Sequence, residues 1–207
     1  MKAASRLRIA AWLIAGSVVA LALLRWSQVR LSDGEVGPYE LFPLFGLSAF
    51  SLMWSHYVTD AIRRLIGAKD DALRQFFTIT ALIVLALILA HPGIFWYQLW
   101  SDGFGLPPVS YLSLYTDLAS RLALILGSLS LVAFLAFELH RRFKSASWWR
   151  YVEYANVAAM FAIFYHALTL GGEVSGWFRL VWFFYGLTLA AAISYNYYHK
   201  QGGANHE

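Results

Sequence analysis

Long apolar runs broken by short charged stretches organise this chain. Six runs stand out, at about 9–25, 41–62, 76–98, 112–138, 151–171 and 177–198. Each is long enough to cross a bilayer as a helix, which takes about 20 residues. An open sheet in lipid would leave its edge groups without partners, so spanning segments of this kind are helices. The pattern therefore predicts an all-α fold: one domain over 1–207, a polytopic bundle of six transmembrane helices. Small residues such as Gly127, Ser128 and Ser130 in the fourth run suit close helix packing in lipid.

Composition agrees. The 207 residues are 59% apolar and 17% aromatic, with 14% charged, against roughly 25% charged in a soluble domain. Mean hydropathy is +0.54. The chain has no cysteine, which excludes disulfides, thiolate ligands and iron–sulfur clusters. A net charge of +4 does not point to nucleic acid, because the basic residues sit between the apolar runs. They read as topology signals.

Lys2, Arg6 and Arg8 precede the first run, and Arg63, Arg64, Lys69 and Arg74 join the second and third. Arg141, Arg142, Lys144 and Arg150 join the fourth and fifth, and Lys200 follows the sixth. The alternate loops carry Asp33, Glu35, Glu40, Asp102 and Glu173, with Arg25 and Arg30 as their basic residues. The positive-inside rule then places both termini in the cytoplasm of a cell with a bacterial inner membrane. The N-terminal K-A-A-S-R-L-R resembles a signal peptide, but no small-x-small site follows before Arg25-Trp26. A retained first span is expected. The stretch 92–111 is aromatic rather than polar and is expected to fold back as an interfacial cap, either a lid over a site or a plain aromatic belt.

The candidate chemistry lies in the histidines. His140, His199 and His206 sit at or beyond helix ends and invite no function. His56 reads as a hydrogen-bonded residue between helices, with a ligand or proton-relay role as the alternative. His91 lies 17 residues beyond Arg74, and His166 lies 16 beyond Arg150. Both spans run in the same direction, so the two imidazoles reach nearly the same depth near the outer surface. An ionisable group at that depth is costly and marks function. Two neutral imidazoles from facing helices with an apolar wall suit axial ligation of one heme b iron. Arg121 and Arg179 also fall inside or at the edge of spans and need counter-charges. Heme propionates would supply them; the alternatives are Asp117 for Arg121 and snorkelling for Arg179.

These residues resemble a family. Span five, W-R-Y-V-E-Y-(x)11-H, is similar to the ferric-reductase-like transmembrane domain, and most of all to the stand-alone heme-binding membrane subunit of the bacterial methionine sulfoxide reductase system. That family reads W-x-x-L-H with a second His 13 residues later; Trp149 and His166 fall on its Trp and second His, and Glu153 on its first. Span three, R-Q-F-F-T-I-T-A-L-I-V-L-A-L-I-L-A-H, puts His91 on a ligand position. The likeness covers about 41–198. Members with two hemes carry a second histidine pair, and here those places hold Phe77 and Glu153. The resemblance therefore implies one heme. Glu153 would be a proton carrier or a boundary residue beside Arg150.

The function expected is a membrane cytochrome b, an electron-transfer subunit of an oxidoreductase. It would take electrons from a cytoplasmic flavin, flavin reductase or quinone through the His91–His166 heme. The acceptor would be a soluble extracytoplasmic protein or ferric iron. No nucleotide-binding motif in a strand-to-helix context is present, so the donor is a separate partner. The basic, aromatic stretch Arg141, Arg142, Trp148, Trp149 and Arg150 would receive it, or would serve as ordinary membrane anchors. The alternatives are a heme-free membrane assembly protein, with the histidines as polar glue, and an ion or proton transporter built on His91, His166 and Glu153.

Overall fold

A computed structural model describes residues 2–31, 37–139 and 148–204. Helices α1 (Lys2–Arg30), α2 (Leu41–Leu65), α3 (Arg74–Ser101), α4 (Val109–Leu114), α5 (Leu118–Leu139), α6 (Trp149–Leu170) and α7 (Phe178–Ala204) follow in order. No strand occurs among the described residues. The chain is all-α. Five of its helices are long and apolar enough to cross a membrane: α1, α2, α3, α5 and α7. This is the pattern of a multi-pass membrane protein.

The expected fifth span, 151–171, forms as α6 but is not among those five. Glu153, Asn156 and His166 dilute its apolar surface. The fourth run also needs correction. It is not one helix over 112–138: α4 ends at Leu114, and α5 starts at Leu118. Asp117 makes the break, its Oδ1 accepting the Ser120 backbone N–H at 2.8 Å. A short acidic side chain at that position satisfies an otherwise orphaned donor of the first turn. That bond holds the Asp117 carboxyl below the usual carboxylate range.

The stretch 92–111 does not fold back at once. α3 continues through Pro92 to Ser101, and the chain turns only at Gly103 (φ 82°). There Gly103 N–H bonds the Trp100 carbonyl and Phe104 N–H the Leu99 carbonyl. This double closure of a helix end favours a residue free to take positive φ. Pro92 lacks an N–H, so its turn of α3 loses one rung, just after His91.

The helix at the centre is α2. Its apolar stretch is 61% buried, whereas no other candidate span exceeds 28%. It packs along α1, α3 and α7, while α5 and α6 pair chiefly with each other. Aromatic side chains fix α7 to α2: Phe50 lies 4.5 Å from Trp182 and Trp54 4.7 Å from Tyr185, centre to centre. Trp54 also donates to Thr188 Oγ1 at 2.9 Å. Small residues let α5 approach α6, with Ser130 Oγ reaching the Ala159 carbonyl at 3.3 Å. The two sub-bundles leave a cleft between them, and His56, His91, Glu153 and His166 line it.

At one end of the bundle Arg30 links Glu40 and Glu173, at 2.7 Å each. At the other, Asp60 pairs with Arg63 and Arg64 at 2.8 and 3.0 Å. His140, His206, Asp33, Glu35, Arg141, Arg142 and Lys144 lie outside the described residues, as do the side chains of Trp149 and Arg150.

Candidate functional site: a histidine pair between two sub-bundles

The cleft holds two chambers stacked along α2. The first is lined by Phe42 to Met53 of α2, Ile88 to Trp96 of α3, Leu124 to Phe134 of α5 and Ile163 to Leu170 of α6. It measures about 190 Å³ within about 1280 Å³ of open space that includes its mouth. His91 and His166 enter it from opposite sub-bundles, with ring centres 6.5 Å apart and planes at 83°. Separate helices thus deliver the two imidazoles to one level, as their register with Arg74 and Arg150 predicts.

Each ring is held by the same device. His91 Nδ1 lies 2.6 Å from the Phe42 carbonyl, and His166 Nδ1 lies 2.8 Å from the Ala123 carbonyl. A carbonyl only accepts, so each Nδ1 carries a proton and donates it. In the neutral ring the lone pair is then on Nε2. Backbone fixing of the far nitrogen is how metal-bound imidazoles are oriented.

Two glycines complete the cradle. A Cβ at Gly46 would meet the His91 ring at 2.9 Å, and a Cβ at Gly127 would meet His166 Nδ1 at 2.7 Å. Only a residue without a side chain lets these rings lie flat against α2 and α5. The sequence reading missed both, noting Gly127 only for helix packing. Nothing in their apolar surroundings distinguishes them without knowledge of which helices touch.

The donor set fits a heme. His91 and His166, each with Nδ1 held by a backbone carbonyl, are the residues that would hold its iron. Among the described residues no three His, Asp or Glu side chains converge. A bare ion would need such a cage, whereas a porphyrin brings four ligands of its own and asks the protein for two. The walls are apolar, with Leu47, Phe50, Leu131, Phe134 and Ile163 around the rings.

The mouth is aromatic. Phe42 stacks on Phe95 at 5.5 Å, Phe95 on Tyr111 at 6.1 Å, and Trp96 Nε1–H donates to the Tyr111 hydroxyl. Burial raises the pKa of Tyr111 and of Tyr115, keeping both neutral in the wall.

Arg121 and Arg179 do not line the chamber. Arg121 turns to the Tyr115 carbonyl, Nε donating at 2.7 Å, and Arg179 is exposed. The basic residue in the wall is Arg30, which the sequence reading used only as a loop charge. It is bound to Glu173, a carboxylate only 2% exposed, whose own carbonyl accepts from Arg25 Nε at 2.7 Å. An acid after Gly171-Gly172 gives no sign in the sequence that it will be buried.

The second chamber lies towards the Asp60–Arg64 end of α2 and measures about 510 Å³ within about 1710 Å³ including its mouth. Met53, Ile88 and Phe134 border both chambers. His56, Tyr57, Phe77 and Glu153 line the second. His56 bonds Thr80 Oγ1 at 2.5 Å, a contact between α2 and α3. No family model, curated protein or solved structure matches the chain.

Proposed function

We propose that the protein is a single-heme membrane cytochrome b, moving electrons between donor and acceptor on opposite sides of the bilayer. One observation carries the reading: two imidazoles from separate sub-bundles, each with Nδ1 tied to a backbone carbonyl, have ring centres 6.5 Å apart. Both residues line one chamber with largely apolar walls.

His91 and His166 would hold the iron, with the Phe42 and Ala123 carbonyls fixing tautomer and ring direction. A heme held by two imidazoles supplies one-electron transfer at an iron with no open position for oxygen. The apolar walls keep water from it. The basic residues Arg63, Arg64, Lys69 and Arg74 support a cytoplasmic location for that end of the bundle. The histidine pair would then lie in the outer half of a bacterial inner membrane. Donors would be a flavin, a flavin reductase or a quinone, and acceptors a soluble extracytoplasmic protein or ferric iron. The propionates would need a basic partner, which Arg30 in the chamber wall would supply.

The test is the visible spectrum of purified, heme-supplemented protein after dithionite reduction. A sharp α band is expected in the unmodified protein and in His56→Ala, and its loss in both His91→Ala and His166→Ala. A colourless unmodified protein, or a band surviving both substitutions, overturns the reading.

A further inference from the structure

The wall of the first chamber contains a carboxylate that stability alone does not explain. Glu173 is 2% exposed and lines the chamber beside Gly171 and Val174. A buried ion pair often stabilises a fold no more than well-packed apolar residues of the same volume would. A charge kept in an otherwise apolar wall therefore invites a chemical role.

Three bonds from α1 fix where that charge lies. Arg30 Nε donates to Glu173 Oε1, Arg25 Nε to the Glu173 backbone carbonyl, and Arg25 Nη2 to Ser175 Oγ, each at 2.7 Å. Arg30 is shared, since its Nη1 donates to Glu40 Oε2, also at 2.7 Å. One guanidinium thus serves two carboxylates, and the two are not equivalent. Glu173 and Arg30 belong to the chamber wall, whereas Glu40 is 28% exposed and stands outside it. Arg25 is outside it too, against neutral oxygens. At an effective dielectric near 20, a unit charge about 10 Å away changes a one-electron equilibrium about tenfold. A charge in contact with water is screened and does far less.

We propose that Glu173 sets the reduction potential of the first chamber, its buried carboxylate favouring the oxidised, more positive iron. Arg30 opposes it from the same wall. The step concerned adds one electron to ferric iron, with no bond made or broken and no proton moved. Glu173 then makes the reduced protein a stronger reductant towards its acceptor. This rests on the heme reading of that chamber and names the residue that tunes it.

The experiment is an anaerobic redox titration of the full chain, heme-loaded in nanodiscs and followed by its α band. At a fixed applied potential, Glu173→Gln is expected to raise the ferrous-to-ferric ratio about tenfold. Glu173→Asp, which keeps the charge, and Glu40→Gln, which removes a screened one, should each stay within about twofold of the unmodified protein. Arg30→Gln should lower the ratio severalfold. Those opposite signs separate a field effect from a structural one, because water admitted by a loosened loop would lower the ratio in both. Were Glu173→Gln too unstable to load, the same substitution in the Arg30→Gln background, which leaves no buried charge unpaired, must raise the ratio above that of Arg30→Gln alone. An α band whose ratio ignores the loss of Glu173, or moves the same way in both single variants, overturns the proposal and leaves the heme reading standing. A colourless unmodified protein overturns the heme reading itself, and this proposal with it.

Discussion

The two chambers share helices and a partition, yet they use histidine in opposite ways. In the first, Nδ1 of each ring is anchored to a carbonyl and Nε2 is left free. In the second, Nε2 of His56 is anchored to a hydroxyl and Nδ1 is left free. The difference decides what each can hold. Nε2 is the ring atom farthest from the backbone, so two rings can reach from separate helices to one metal. Nδ1 lies close to its own helix and suits a hydrogen bond to a ligand lying against the wall. The anchor, more than the histidine itself, assigns the chemistry.

The comparison breaks most completely at Gly127. A methyl there would sit 2.7 Å from His166 Nδ1, and the ring cannot retreat without losing the Ala123 carbonyl. Gly127→Ala is expected to cut heme occupancy at least about tenfold, read as the reduced α band per protein. Gly93→Ala, where nothing lies within 4 Å, should leave the band intact. An unchanged band in Gly127→Ala would mean that the cradle does not set the ring.

The next effect is at the first chamber's mouth, pinned by ion pairs the second chamber lacks at its partition. Glu173→Gln leaves Arg30 with Glu40 alone. A fully buried pair broken on one side costs about 3–5 kcal/mol, and the partial exposure of Arg30 brings the expected loss to about 2 kcal/mol. Glu40→Gln, at the more exposed pair, should cost about 0.5 kcal/mol. Denaturant titration in detergent gives both values, and equal losses would deny Glu173 its special place.

The chain's hydropathy reveals the helical class and most element boundaries, because apolar length is a property of each segment alone. It fails where a local interaction interrupts the run, as Asp117 does between α4 and α5. At α6 it gives the helix, with Glu153, Asn156 and His166 lining the cleft. Equal depth of His91 and His166 could be read by counting from Arg74 and Arg150. The facing glycines, the two carbonyl anchors, the burial of Glu173 and the second chamber could not. Each depends on which helix lies beside which, and in this bundle the cleft falls between α2–α3–α7 and α5–α6, segments distant in sequence.

Thr80 offers the finest test, since it assigns the His56 tautomer without touching either chamber's ligand. Val has nearly the same shape but neither accepts from His56 nor donates to Phe76. With Thr80→Val the Nε2 proton loses its partner, at a cost of about 1 kcal/mol, and the ring gains by moving the proton to Nδ1. There it becomes a donor, and Nε2 the acceptor. Nitrogen NMR of the His56 ring should therefore show the change from the Nε2–H to the Nδ1–H tautomer, while the α band of the first chamber stays as it was. Were the Nε2–H tautomer to persist, the proton on His56 would not be governed by Thr80. The contrast between the two anchoring modes would then be geometry without chemical consequence.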